Sequence, residues 1–256
     1  EYKMLQQLKQ LERNFDGLLF YDDSPIHQAQ LRIYSTDASV YQEMPLAVAI
    51  PKTIAAVQQL IKFATENKTT LIPRAAGTSL AGQVVGNGIV VDISRYFTHI
   101  LEVNKEERWV RVQPGVIRDD LNHHLKQFGL MFGPETSTAN RAMIGGMLGN
   151  NSCGLHSIVW GSARDHVLEV KALLSDGSEV TFGKDDIRAN GKDSFKSNIY
   201  HQLDALLSDE KNQQLIQNKF PQEKVHRRNT GYALDYLLKM QPYNPQGESF
   251  NLCKLL

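Results

Sequence analysis

The sequence predicts an α+β fold built as two sub-domains, a small βαβ unit followed by a larger, mainly antiparallel one. Three observations carry that prediction. Short apolar runs alternate with a helical stripe in the first half, and a strand pair around Ser175-Asp176-Gly177 replaces that rhythm in the second. Eight of the 18 glycines also crowd into two stretches: Gly77, Gly82, Gly86 and Gly88 fall within twelve residues, and Gly145, Gly146, Gly149 and Gly154 within ten. Glycine serves where the backbone must take a positive φ or approach something closely. Two dense clusters therefore point to two backbone loops that close on one object.

Taken in order, Leu5, Leu8, Leu11 and Phe15 mark a helix over residues 3–15. From Gly17 to about Gln42 turn residues dominate and periodicity is weak, which reads as an arm leading into the fold. Leu46–Ile50 is a strand ended by Pro51. Thr53 then caps a helix striped by Ile54, Val57, Leu60, Ile61 and Ala64. Thr70–Pro73 and Ile89–Ile93 are strands flanking the first glycine loop. Ile100–Val103 and Trp109–Gln113 are strands joined by the charged turn Asn104–Arg108. After Pro114-Gly115 a helix carries Ile117, Leu121, Leu125 and Phe128, with Gly129 at its C′ position. Val167–Leu174 and Glu179–Phe182 form a hairpin, residues 184–197 read as a polar loop, and helices follow at Ile199–Leu207 and around Glu210–Phe220. The divisions expected are an N-terminal helix and arm over 1–42, a first sub-domain over 43–110 and a second over 111–256.

Composition narrows the function. The chain has 256 residues, 41% hydrophobic and 22% charged, as expected of a globular protein with a substantial core. Its 28 basic and 28 acidic residues balance, so the basic excess of a nucleic-acid binder is missing. No apolar run is long enough for a membrane span. Two cysteines, Cys153 and Cys253, build neither a disulfide framework nor a four-thiolate metal site. A cytoplasmic location is expected.

The first loop, Pro73-Arg74-Ala75-Ala76-Gly77-Thr78-Ser79-Leu80-Ala81-Gly82, leaves a strand for a turn of small residues. Consecutive N–H groups in such a turn can cradle an anion, the Thr78 and Ser79 hydroxyls add donors, and Arg74 offers a countercharge. That chemistry suits a diphosphate; a tight connection of small residues is the alternative. Two better-known phosphate loops do not fit. Gly86-Asn87-Gly88 runs into a strand rather than a helix. Gly77-x-x-x-x-Gly82 is followed by Gln83-Val84 where a P-loop needs Lys-Ser/Thr.

In the second loop, Ile144-Gly145-Gly146-Met147-Leu148-Gly149 is a helical turn nearly free of side chains on one face. A flat ring or a pyrophosphate can lie against it. Thr138, Asn150, Asn151 and Ser152 supply neutral donors and acceptors for a heterocycle edge. A structural glycine turn remains the alternative.

Five motifs occur in one order. They are Arg74-x-x-Gly77-Thr78-Ser79-Leu80, Pro134 to Thr138, Ile144-Gly145-Gly146 through Asn151-Ser152-Cys153-Gly154, Trp160-Gly161-x-x-x-Asp165, and Val167-Leu168-Glu169-Val170 with Ser175-Asp176-Gly177. Together they resemble the FAD-binding domain of the vanillyl-alcohol oxidase/p-cresol methylhydroxylase superfamily. Within it the chain is similar to FAD-linked 2-hydroxyacid dehydrogenases: the glycolate oxidase flavin subunit and the D-lactate and D-2-hydroxyglutarate dehydrogenases. Asp37-x-Ser39-x-Tyr41-x-x-x-Pro45-x-Ala47-Val48 and Asn140-Arg141-x-x-Ile144-Gly145-Gly146-Met147 resemble the long bacterial forms, which add a C-terminal iron–sulfur module.

The resemblance implies a two-sub-domain FAD-binding fold, truncated at the C-terminus, with FAD between the sub-domains. Arg74, Ala75, Ala76, Gly77, Thr78, Ser79 and Leu80 would wrap the pyrophosphate. Pro134, Glu135 and Thr138 would lie along the ribityl or flavin side, and Gly145, Gly146, Asn150, Ser152 and Gly154 would contact the diphosphate and isoalloxazine. Covalently flavinylated relatives often carry a histidine in the first loop; this one has none, so non-covalent FAD is expected. The implied reaction is hydride transfer from the α-carbon of a D-2-hydroxy acid to flavin N5, giving the 2-oxo acid. Its base, metal-ligating histidines and substrate-binding arginine would lie in a cap domain beyond residue 256. The chain alone is therefore expected to be inactive; no catalytic residue can be named in it, no metal site is expected, and any iron–sulfur cluster would lie elsewhere in the parent. The electron acceptor is left open.

Other residues read as structural. Asp165 anchors a turn, His123 and His124 are helix neighbours rather than a metal pair, and His156 makes a structural hydrogen bond. Cys153 lacks a cationic neighbour to lower its pKa, and Arg227-Arg228 read as surface charge. Two other readings stay open at this point: a flavoenzyme like UDP-N-acetylenolpyruvylglucosamine reductase, and a non-catalytic interaction domain that retains the fold.

Overall fold

The computed structural model describes residues 2–188, 194–222, 224–225 and 231–256; Arg227 and Arg228 lie outside them. The chain packs as two compact units, Glu1–Phe132 with Ser137–Gly146, and Gly133–Thr136 with Met147–Leu256.

In the first unit the order is α1 (Tyr2–Glu12), β1 (Gly17–Phe20), α2 (Pro25–Ile33), β2 (Ala47–Pro51), α3 (Ile54–Asn67), β3 (Leu71–Arg74) and β4 (Ile89–Asp92). A hairpin, β5 (Ile100–Asn104) and β6 (Trp109–Val112), and helix α4 (Arg118–Leu125) complete it. The main sheet runs β1-β2-β4-β3, with β4 parallel to both β2 and β3 and β1 antiparallel to β2. Every residue of β2 is buried because both sheet faces are covered. Ala47, Ala49, Ile89 and Val91 point to a core with Leu8 of α1 and Ala56, Leu60 and Phe63 of α3. Val48, Ile50 and Val90 point the other way, onto Leu31 of α2. Thr53 caps α3 as its sequence predicts, its Oγ1 accepting the Ala56 N–H at 3.2 Å.

The stretch from Gly17 to Gln42 is not an arm. It supplies the edge strand β1, with Leu18 opposite Ile50 and Phe20 opposite Val48, and the helix that covers the second sheet face. Helix α2 starts where Pro25 follows an extended Ser24. The His27 ring accepts the Tyr21 and Asp22 N–H groups at 3.1 and 3.2 Å, fixing the turn before it. The sequence break expected near residue 110 falls within β6, inside the first unit.

Helix α5 (Ile144–Gly149) is followed by α6 (Ser157–Trp160), the antiparallel pair β7 (Val170–Leu173) and β8 (Glu179–Phe182), and helices α7 (Phe195–Ser208), α8 (Glu210–Lys219) and α9 (Leu234–Leu238). The hairpin turn falls at Gly177, at φ +84°. Val167, expected in the first strand, instead ends a 3₁₀ turn over Ala163–His166. There Asp165 anchors the chain as expected, accepting the Ser162 N–H at 2.8 Å. Residues 184–197 are not simply a polar loop. Ile187 is fully buried, and α7 begins at Phe195 behind a Ser194 cap. Tyr200 and Phe250 lie at the centre of the second unit's core with Ile187, Leu207, Ile216 and Leu237.

Burial pushes the Cys253 thiol up to about 11 from its ordinary 9.0. Burial also raises the phenols of Tyr200, beside Asp185, and Tyr243, bonded to Asp204. Groups with raised folded pKa values stabilise the fold fully below their ordinary values, and that contribution is lost as pH climbs through the folded ones. The thermal midpoint is therefore expected to fall as pH rises from 9 to 11, read by near-ultraviolet circular dichroism. Cys253 should also resist a thiol reagent until the chain unfolds.

Candidate functional site

The first glycine loop leaves β3 at Arg74 and returns to the sheet at β4. Gly77 and Gly82 both hold left-handed conformations, at φ +67° and +69°, which a side-chain-bearing residue would take only under strain. Among the described residues no acceptor is found for the N–H groups of Gly77, Thr78, Ser79 and Leu80, whereas that of Ala81 reaches Ser79 Oγ at 3.3 Å. Within the described residues these four successive amides form a run of the kind that can cradle an anion. Ser79 Oγ also bonds to the Gln83 side chain, and Leu80 stands 80% exposed.

The expected countercharge is arranged differently. Arg74 folds back on its own loop, donating from Nη1 to the Thr36 carbonyl at 2.8 Å, with its guanidinium 5.2 Å over the Tyr34 ring. Tyr34 in turn donates to the carboxylate of Asp92, which is 6% exposed. Burial and that partner raise the phenol's pKa, so it remains a donor. The sequence offered no local sign of this contact, since Thr36 contributes a main-chain oxygen and Tyr34 a ring face.

Part of the second glycine stretch meets the first within the same unit. The N–H of Ile144 donates to Val116 O at 2.9 Å and that of Gly145 to Pro114 O at 2.8 Å. A β-carbon on Gly145 would stand 2.5 Å from Pro114 Cβ, so packing demands that glycine. Gly146 differs: a β-carbon there would make only an ordinary 3.5 Å contact with the Ala75 methyl of the first loop. Gly149 has nothing within 4 Å, and neither residue has a positive φ. Within the first unit, Gly146 thus leaves open a space beside Ala75 that protein packing does not require. In a helix, glycine in place of alanine costs about 1 kcal/mol. Thr138 anchors the turn before α5, its carbonyl accepting the N–H groups of Arg141 and Ala142 at 2.8 and 2.7 Å.

In the second unit Glu135 and Gly154 come together. A β-carbon on Gly154 would lie 2.4 Å from the Glu135 carbonyl oxygen, and the Glu135 carboxylate pairs with His156. His156 thus makes the structural bond expected of it. Asn150 is exposed. Ser152 is buried and built into the loop: its N–H donates to Met147 O at 2.8 Å and its carbonyl accepts from Ala163 at 2.9 Å. Asn151, which the sequence offers as a neutral partner for a heterocycle edge, stands at φ +43° and uses its side-chain oxygen to accept the buried Arg164 N–H at 2.9 Å, a scaffold contact. Pro134 lies beside Glu135 in the same short strap.

The chain matches the FAD binding domain family over residues 45–183. It belongs to that family. Curated relatives include the D-2-hydroxyglutarate dehydrogenase of Escherichia coli, 36% identical over 98% of this chain and 24% of the relative. That of Pseudomonas putida is 39% identical over 80% and 21%. The glycolate oxidase subunit GlcD of Bacillus subtilis is 33% identical over 64% and 34%. This FAD binding domain chain spans about a quarter of the length of the D-2-hydroxyglutarate dehydrogenases it matches.

Solved structures of the same fold include 6-hydroxy-D-nicotine oxidase from Arthrobacter nicotinovorans, with a TM-score of 0.57 and 21% identity over 73% of this chain and 38% of that one. A second is the carbohydrate oxidase from Microdochium nivale, at 0.58 and 19% over 68% and 37%. FAD is the cofactor of the FAD binding domain, and the residues present fit it. Four successive amides with no acceptor among the described residues suit a diphosphate, and the space that packing leaves open at Gly146 suits close approach of a flat or anionic group.

Proposed function

We propose that this chain is the FAD cradle of a longer dehydrogenase that oxidises a D-2-hydroxy acid, of the 2-hydroxyglutarate, lactate or glycolate class, to its 2-oxo acid. The observation that carries this reading is likeness along almost the entire chain, 98% and 100% of it, to two D-2-hydroxyglutarate dehydrogenases at 36% identity. When bound, FAD supplies a hydride acceptor. The chain's own part is to hold it. The amides of Gly77, Thr78, Ser79 and Leu80 bind the diphosphate without a mobile side chain. Ala75, Ala76 and Gly146 let the cofactor approach the backbone, Gly145 seats that turn against Pro114, and Asn150 offers an uncharged polar edge. Pro134, Glu135 and Thr138 border the flavin side, while Ser152 and Gly154 fix the loop's shape.

The substrate's proton acceptor is assigned to the remainder of the parent, and this chain alone is expected not to turn over substrate. A cytoplasmic location is proposed for the parent, where its thiols stay reduced. In the full-length protein, anaerobic D-2-hydroxyglutarate is expected to bleach the visible flavin band while the L-enantiomer does not. Absence of bleaching with D-2-hydroxyglutarate, D-lactate and glycolate alike would overturn the substrate class.

Residues 73–82 contain neither histidine nor cysteine, so that loop offers no such nucleophile for a covalent flavin link. The cofactor is expected to leave completely in acid or SDS, with all flavin in the supernatant after precipitation. Flavin remaining on the denatured chain would contradict a dissociable cofactor.

A further inference from the structure

We propose that residues 34–41 are a working part of the cofactor site, and that Arg74 is a positioning residue which they hold against Gly77 rather than the countercharge of the diphosphate. The proposal rests on the reading of the first loop as the diphosphate cradle. Residues 34–41 precede the stretch over which the family is matched, 45–183. They nonetheless touch the loop at both of its left-handed glycines.

At the first, a β-carbon on Gly77 would stand 2.7 Å from Arg74 Nη2, so the guanidinium lies directly under the turn. That guanidinium is fixed from the other side by the Thr36 carbonyl at 2.8 Å and by the Tyr34 ring at 5.2 Å. Tyr34 is fixed in its turn by the buried Asp92 carboxylate, whose second oxygen accepts the Ser94 N–H at 2.7 Å. The Gly77 carbonyl also accepts the Ala38 N–H at 3.2 Å. At the second glycine, a β-carbon on Gly82 would meet the Tyr41 ring at 2.7 Å. Every one of these groups lies in the first unit.

A guanidinium can do this because it is planar: it stacks on a ring face while an edge donates to a carbonyl. An ammonium of equal charge offers neither the plane nor the fork. Charge and shape are therefore separable by substitution. A countercharge role survives Arg74→Lys, and a brace does not.

The test uses the 256-residue chain as wild type, Arg74→Lys, Arg74→Met, Tyr34→Leu and the double variant Arg74→Lys with Tyr34→Leu. FAD and riboflavin affinities are measured by fluorescence titration. Exchange of the Ala38 and Ile93 amides is followed by NMR without cofactor. Arg74→Lys and Tyr34→Leu are each expected to weaken FAD by about tenfold, or about 1.4 kcal/mol. The double variant should be little worse than either, because both break one device. Riboflavin, which lacks the diphosphate, should change less than about twofold, a selectivity that general destabilisation would not produce. The Ala38 amide should exchange about tenfold faster, while the Ile93 amide, bonded to the Arg74 carbonyl at 3.0 Å, reports that the sheet is intact.

Arg74→Lys binding FAD like wild type while Arg74→Met loses it would overturn the proposal in favour of a countercharge. Unchanged Ala38 exchange in Tyr34→Leu would overturn it as well. A wild-type chain that ignores FAD, with Ala38 exchange responding as described, would remove the cofactor reading and uphold the brace.

Discussion

Gly146→Leu is expected to weaken FAD binding by about 100-fold or more, and Gly146→Ala by about tenfold, while the cofactor-free Ala variant becomes more stable. The two effects have opposite signs for one reason. A methyl group on Gly146 meets the Ala75 side chain at an ordinary 3.5 Å, so the protein has room for it. Alanine is also the better helix former, by about 0.5–1 kcal/mol. What it fills is the space left to the ligand. Isothermal titration with FAD and thermal melts of the free chain read the two effects separately. An Ala variant that melts lower and binds FAD as wild type does would show that Gly146 serves packing alone.

The second large effect is on stability. Tyr200→Ala is expected to cost about 3–5 kcal/mol. Tyr200 is fully buried, its ring edge-on to Phe182 at 6.1 Å and to Phe250 at 6.0 Å, and its hydroxyl donates to Asp185 at 3.2 Å. The cavity opens in the middle of the second unit's core, between β8 and the α7–α8 pair, where little can collapse to refill it. Tyr200→Phe keeps the rings and loses one hydrogen bond while Asp185 retains Lys196 at 2.8 Å, so about 1 kcal/mol is expected. Urea melts followed by near-ultraviolet circular dichroism would separate the two. Equal losses for both variants would mean that the hydroxyl, not the ring packing, carries the site.

How far sequence reasoning reached depends on how locally each feature is encoded. Strand β2 was visible because both of its faces are buried, which makes it a continuous apolar run. Helix α3 announced itself by a capping threonine and a full stripe. Strand β1 and helix α2 did not. The strand has four residues, and of the apolar residues on α2 only Leu31 is buried, while Ile26 and Ile33 are 71% and 61% exposed. The stripe that would have marked the helix was therefore absent. Ile187 was hidden for a similar reason, as a single core residue among charged neighbours.

The glycine loops were legible as composition, since close approach and left-handed backbone demand glycine in the chain itself. The support of the first loop was not. Arg74 finds its partners 38 and 40 residues earlier, both through main-chain carbonyls that every residue possesses. Its charge, read along the chain, suggests an anion; only its neighbours in space show the guanidinium engaged with protein.

The most direct test is an equilibrium titration of the 256-residue chain with FAD, in competition with ADP, alongside Gly146→Leu. Saturable one-to-one binding that ADP displaces and Gly146→Leu abolishes is the expected result. A folded chain that takes up no FAD, or one whose binding is indifferent to a leucine at Gly146, would contradict a dinucleotide held by these glycine loops.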